Sequence, residues 1–473
     1  MPSPASEDIM ASMSDRNPLH RAMELMGRGK TGPARALCRK VLHRQPDHFD
    51  ALHLYGVLCL KDGEFSRASE ALRQALQSGG PAPQQAQVNS NLSLSLQQQG
   101  QLAEALDAAN QALLLGGDQV PFLGNRANIH EVMEDWPAME ADLRRALALD
   151  PDNPEFLVGL AVACRRQGRA EEALTLLQPL IQASPAESAA RWEFLLALSL
   201  LQGGEAALQA AAGLHAGPGI YEEAGDYFCD NGHYDQALPF YRKALSLQPN
   251  DEALEHRLAA LEGRRVEQAP SSYITRLYDS HAEAFERRLV GRLGYRAPWL
   301  LPERLAHLGR ARFDRVLDLG CGTGLAGAEL RRNLDVDYLE GVDLSSRMLK
   351  LAAAKGCYDA LHGEGLLGFM EHCTKPYDLV CALDVLIYVG SLEAVFTAVA
   401  HTLSRDGLFA FTVESTTQEG FVLHPSGRYR HNRDYLLTLA RERGLSLWDE
   451  CNIPLRLEQR KPVEGALLIF RRG

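Results

Sequence analysis

Gly29, Gly63, Gly100, Gly168 and Gly232 stand 34, 37, 68 and 64 residues apart, close to multiples of a single 34-residue period. Five residues after each comes an alanine: Ala34, Ala68, Ala105, Ala173 and Ala237. Glycine supplies the left-handed residue that ends a helix, and a small side chain early in the next helix lets the two lie close together. Pro46, Pro151, Pro185 and Pro249 close several units, because proline cannot continue a helix. Residues 15–264 therefore read as about seven antiparallel helix pairs, with 252–264 as a capping helix. The unit over 120–153 keeps Ala146 and Pro151 but has Glu134 and Met139 where the others have glycine and alanine. The stretch 188–217 is degenerate, with Gly203, Gly204 and an alanine-rich helix.

Two copies are clearest: G-R-A-E-E-A-L-T-L-L before Pro185, and G-H-Y-D-Q-A-L-P-F-Y-R-K-A-L-S-L-Q-P ending at Pro249. They resemble the tetratricopeptide repeat (TPR). The resemblance implies an all-α solenoid whose concave groove holds a protein or peptide partner. A scaffold for packing or dimerisation is the alternative.

A chain of 473 residues is long enough for two or three domains. Its formal charge of −12 argues against a non-specific nucleic-acid binder, which needs a basic surface. The nine cysteines contain no C-x-x-C pair, so neither a zinc site nor a disulfide framework is expected. The first residues lack the basic start and apolar core of a signal peptide, and no run reaches the roughly 18 apolar residues of a membrane span. A cytoplasmic location is the expectation.

After Arg264 the pattern changes. V-E-Q-A-P-S-S makes a short polar linker over 265–272, and an amphipathic helical segment follows from Tyr273 to Leu289. From Arg312 onward, apolar runs of strand length alternate with helical ones at βαβ spacing, which indicates a parallel sheet covered on both faces. The first strand ends in V-L-D-L-G-C-G-T-G, residues 316–324. Gly320, Gly322 and Gly324 permit a sharp turn and the close approach of a ligand. The dinucleotide fingerprint is G-x-G-x-x-G. Here the third glycine comes one residue early, and Asp318 stands where a carboxylate would repel a pyrophosphate but suit a cation.

The segment resembles the first motif of S-adenosylmethionine-dependent methyltransferases with the Rossmann-like fold, and the order of elements over 310–473 is similar to theirs throughout. The resemblance implies a class I α/β domain, with a doubly wound, mostly parallel sheet and an antiparallel last strand. In such a sheet ligands bind at the C-terminal strand ends. The implied cofactor is S-adenosylmethionine. Asp318, Gly320, Gly322 and Gly324 would hold it at the first strand, and Asp343, ending the second strand, would take the ribose hydroxyls. Glu364 would accept the adenine amine, with an exposed loop glutamate as the alternative. Leu383 and Asp384, after the fourth strand, would lie against the methionine moiety and methyl group. Met348 is expected in the core, and Asp378, at the opposite end of the fourth strand, is expected to be structural. Residues 278–298 resemble the helical lid of bacterial TPR-fused methyltransferases, within a lid expected over 273–309, and Tyr278, Phe285 and Tyr295 are the candidates to close over the cofactor. A disordered tail over 1–14 completes the expected division of the chain.

The acceptor is less constrained. The fourth strand ends in L-D-V-L, not N-P-P-Y, and no P-C pair follows it; with the acidic charge, both absences argue against a nucleic-acid substrate. The insert 416–435 carries His424, Arg428, Tyr429, His431 and Arg433. His424, His431 and Tyr429 are the catalytic candidates, since a histidine can take a proton near neutral pH. The arginines could clamp a carboxylate or phosphate. The leading expectation is a methyltransferase whose repeats recruit a protein or carrier-bound acceptor. The alternatives are a small-molecule methyltransferase, a non-catalytic TPR adaptor and, more distantly, an NAD-type oxidoreductase.

Overall fold

The computed structural model describes residues 18–183, 188–214, 219–279, 295–458 and 461–473. The chain forms two compact units, Met1–Gln202 and Gly203–Gly473. The break falls inside the degenerate repeat.

In the first unit, helices run in succession from Pro18–Gly27 to Ser188–Gln202. Gly29, Gly63, Gly100 and Gly168 all lie in the left-handed region, with φ of 72°, 74°, 75° and 80°. In each turn the next residue's N–H returns to the carbonyl five residues back, as from Lys30 to Leu25 at 2.8 Å and Glu64 to Cys59 at 2.9 Å. This closes the helix end by the Schellman pattern. Glu134 adopts the same turn at φ 59°, with Asp135 N–H bonded to the His130 carbonyl at 2.9 Å. The solenoid geometry thus overrides the side chain at that position. Ala34, Ala68, Ala105 and Ala173 are fully buried between their helices, and Met139 fills the equivalent place.

The second unit begins with helices of the same pattern, Gly204–Gly213, Ile220–Asp230, Tyr234–Leu247 and Glu252–Leu261. The carboxylate of Asp251 caps the last of these, accepting from Ala253 and Leu254 N–H. That helix packs directly on the sheet domain. His256, 2% exposed, donates from Nε2 to the Gly427 carbonyl at 2.9 Å. Around it Ala253, Ala260, Tyr273, Tyr388, Leu423 and Tyr429 form one apolar cluster. The segment expected to be a polar linker is laid against the loop after the fourth strand. Ala269 N–H donates to Tyr388 O, while the Glu267 carbonyl accepts from Gly390 and Ser391 N–H. Backbone groups buried there need partners, and this segment supplies them.

Among the described residues, nine strands form one sheet: β1 (Arg312–Leu319), β2 (Asp335–Val342), β3 (Ala360–His362), β4 (Tyr377–Ala382), β5 (Leu403–Ser415), β6 (Phe421–Leu423), β7 (Tyr429–His431), β8 (Leu445–Glu458) and β9 (Lys461–Arg472). The order is β3-β2-β1-β4-β5-β7-β6, parallel from β3 through β5. β9 returns antiparallel along β5 and pairs with β8. Each central strand is buried along its whole second half, as a sheet covered on both faces requires. One core lies on either face, built around Phe396, Phe409, Phe411 and Phe470 on one and around Leu301, Val316, Leu339 and Ile469 on the other. Met348 is buried as expected. Asp378, also as expected, is structural: its carboxylate accepts from the backbone of Asp314 and Arg315 and from Ser404 Oγ. Among the described residues, no helix is long and apolar enough to cross a membrane.

Candidate functional site

The strand order reverses between β1 and β4, and a cavity opens at the C-terminal ends of these strands. Such a switch point is where an open parallel sheet leaves a crevice, because the connections on either side leave for opposite faces.

At the end of β1, Asp318 is 1% exposed. Burial pushes its carboxyl up to about 6, and hydrogen bonds from Tyr358 Oη (2.7 Å) and Cys381 Sγ (3.5 Å) oppose the rise. The loop then turns through Gly320 at φ 66° and Gly322 at φ 53°. A Cβ at Gly320 would also overlap the side chain of Val385, so this position is closed to other residues. At the end of β2, Asp343 ties the two strand ends together. Its Oδ2 accepts from Gly322 N–H at 2.9 Å and its Oδ1 from Ser345 N–H at 2.8 Å. Burial raises the Asp343 carboxyl as well, against these two bonds.

Of the residues expected to hold a cofactor, Asp318, Gly320, Gly322, Asp343, Glu364, Leu383, Asp384 and Tyr278 all line this cavity. Gly324 does not. It precedes the helix Leu325–Asn333 in a left-handed conformation, and its Cα faces the ring of Tyr358. Of the lid candidates, Tyr295 lines the cavity and Phe285 lies outside the described residues. Tyr278 Oη sits 3.0 Å from Tyr388 Oη at the cavity wall.

None of the catalytic candidates lines the cavity. The insert 416–435 folds as the β6–β7 hairpin, and β7 pairs with the end of β5. That pairing turns His431 into the protein, where it is 1% exposed and donates from Nε2 to the carbonyls of Val389 and Gly390 at 2.9 and 3.1 Å. Burial pushes its ring down to about 4, so it is neutral and already committed. The Tyr429 ring is fully buried in the cluster under the last repeat helix. His424 bonds Ser426 Oγ through Nδ1 and stands edge-on to Tyr234. Arg433 pairs with Glu450 on the surface.

Several residues that sequence reasoning passed over are prominent here. Tyr358 holds Asp318, and its ring occupies a slot where a Cβ at Gly327 or Gly341 would collide with it. Small residues at both positions were the available signal. Arg456, on β8 and 3% exposed, donates to Asp384 Oδ1 at 3.1 Å and pairs with Glu414. Burial alone would raise the Glu414 carboxyl, but Arg456 and Arg428 outweigh it and hold the group below its ordinary value.

A model of a methyltransferase domain matches residues 317–409, and tetratricopeptide-repeat models match 19–83, 60–122, 140–198 and 219–251. The methyltransferase-like protein 27 of Homo sapiens is 31% identical over 188 residues, which span 32% of this chain and 76% of that protein. A malonyl-[acyl-carrier protein] O-methyltransferase of Legionella pneumophila is 32% identical over 143 residues, 29% of this chain and 49% of the relative. The magnesium protoporphyrin IX methyltransferase structure from Synechocystis PCC 6803 aligns with a TM-score of 0.34 at 17% identity, over 43% of this chain and 97% of its own. With its glycine loop, its paired strand-end acids and a relative matched over three quarters of its length, the chain belongs to the methyltransferase family and carries tetratricopeptide repeats ahead of that domain.

Proposed function

We propose that this protein transfers a methyl group from S-adenosylmethionine to a hydroxyl or amine acceptor, and that its repeats recruit a protein or carrier-bound form of that acceptor. The observation that carries the cofactor is the charge of the cavity. Asp318, Asp343, Glu364 and Asp384 line it, and no lysine, arginine or histidine is among its described lining residues. A dinucleotide would bring its pyrophosphate against four carboxylates. S-adenosylmethionine brings a sulfonium and an ammonium.

When bound, that cofactor supplies a methyl group on a positively charged sulfur, and the protein contributes binding, orientation and exclusion of water. Asp318 would face the ammonium group, Asp343 the ribose hydroxyls and Glu364 the adenine amine. Gly320 and Gly322 would give the backbone room to approach, while Leu383 and Tyr278 would wall the methionine arm. Tyr278 and Tyr295 would shield the methyl group from water. The buried, neutral His431 holds the Val389–Gly390 backbone in place and so shapes the cavity wall from behind.

The test begins with S-adenosylhomocysteine, expected to bind the full chain with micromolar affinity, about −8 kcal/mol. Tritiated methyl transfer into a lysate, split into protein and small-molecule fractions with Asp318→Ala as control, then locates the acceptor. Protein label that the full chain produces and residues 203–473 alone do not would support recruitment by the repeats. Equal labelling by both would sink it and leave a small-molecule enzyme with a scaffold array. Absence of homocysteine-adduct binding would turn the reading towards an adaptor.

A further inference from the structure

Beyond the glycine loop and the strand-end acids, the cavity is lined by Ile274, Tyr278, Tyr295, Pro298 and Tyr388. Asp384 lines the same cavity, and three features show it to be set in place. Its φ of 59° is one that side chains other than glycine seldom adopt. Its N–H donates to Thr412 Oγ1, itself fully buried, at 2.8 Å. Its Oδ1 accepts from Arg456, which reaches across from β8. Oδ2 has no hydrogen-bond partner among the described residues. Arg456 is shared with Glu414, which is 0% exposed, and so bridges the two acids and aligns Asp384. Residues in strained conformations that several neighbours enforce are concentrated at working sites.

Resting on the reading of the cavity as an S-adenosylmethionine site, we infer that Asp384 faces the acceptor through Oδ2, with Arg456 as its positioning residue. The acceptor nucleophile is then an N–H or O–H group that offers its proton to that oxygen, and not a carboxylate. A carboxylate acceptor would meet like charge in an aromatic pocket that offers it no cation among the described lining residues. An amine or hydroxyl would meet a hydrogen-bond acceptor. As the nucleophile's lone pair bonds to the methyl carbon, the carbon–sulfur pair stays on the departing thioether, and the nucleophile's surplus proton passes to Oδ2.

Charge at the point of transfer is readable without turnover. In sinefungin an amine-bearing carbon stands where the sulfonium carries its methyl, whereas S-adenosylhomocysteine has nothing there. Calorimetry of the full chain is expected to show sinefungin binding at least tenfold tighter than S-adenosylhomocysteine. Asp384→Asn keeps the shape and tolerates positive φ. It is expected to reduce that preference below threefold. Equal or weaker binding of sinefungin by the unmodified chain would overturn the assignment, as would a preference that survives the substitution. Binding of neither ligand to the unmodified chain would instead defeat the cofactor reading itself. Should the variant lose both ligands, product chemistry decides: label from the unmodified chain that resists mild alkali supports an amine or hydroxyl acceptor, and release as volatile methanol marks a carboxyl ester and overturns it.

Discussion

Asp318 is an acid whose ionised form the fold keeps at a cost. Burial raises its carboxyl to about 6, and the unprotonated form is the one that attracts a cation. Affinity for S-adenosylhomocysteine, which carries the ammonium group, is therefore expected to fall as pH drops through about 6. The loss should approach tenfold per pH unit, read by calorimetry between pH 8 and pH 5. The stability effect has the opposite sign. Because the folded-state value lies above the ordinary one, the charged carboxylate destabilises the protein above about pH 6, and that penalty fades as pH falls towards the usual carboxylate range. Asp318→Asn should accordingly gain about 1–3 kcal/mol of stability at pH 8 while weakening S-adenosylhomocysteine at least tenfold. A variant that melts lower would show that the carboxylate serves structure instead. Tyr358→Phe keeps the ring in its glycine slot and removes only the hydroxyl. It should weaken the same ligand about fivefold, near 1 kcal/mol, with little change in melting temperature.

At the scale of elements, the repeat turns show how much a solenoid dictates. Glu134 sits at φ 59° in a turn where its counterparts are glycine. A left-handed residue other than glycine costs about 1–2 kcal/mol. Glu134→Gly should therefore stabilise the first unit by about 1 kcal/mol, allowing for the greater freedom of glycine in the unfolded chain; urea unfolding followed by circular dichroism checks it. An unchanged or lower midpoint would mean that Glu134 makes compensating contacts. The β6–β7 hairpin teaches the converse. Its polar, histidine-rich sequence suggested chemistry, yet pairing of β7 with β5 directs His431 to the Val389 and Gly390 carbonyls and buries Tyr429. Nothing local in that stretch distinguishes a side chain facing the cavity from one propping its wall.

Across the whole molecule, the repeat pattern and the compact units do not end at the same place. The repeats run to Leu261, while the second unit starts at Gly203. The helix Glu252–Leu261 covers Tyr273, Tyr388 and Tyr429, and Tyr388 lines the cavity. A chain cut to 265–473 should thus expose this aromatic cluster, melt lower and bind S-adenosylhomocysteine more weakly than one starting at 203. Expressing both and comparing thermal unfolding with calorimetry is the check; identical behaviour would show that the helix only rests on the domain.

The sequence by itself determined the features that rest on local backbone chemistry. The repeat glycines and alanines mark turns and helix contacts that recur within one unit's length, so a fixed spacing reveals them. The glycine loop and the strand-end acids Asp318 and Asp343 are legible for a related reason: topology assigns the ends of parallel strands to one edge, and position along a strand is enough to place them there. Only the tertiary structure decided which residues support that edge. Tyr358 reaches Asp318 through a slot left by glycines on two other elements, and Arg456 reaches Asp384 from a strand some seventy residues away. It also decided that the polar segment 265–272 lies docked and that His431 is neutral and occupied. Such roles depend on direction and burial across distant parts of the chain, and neither residue type nor spacing carries that information.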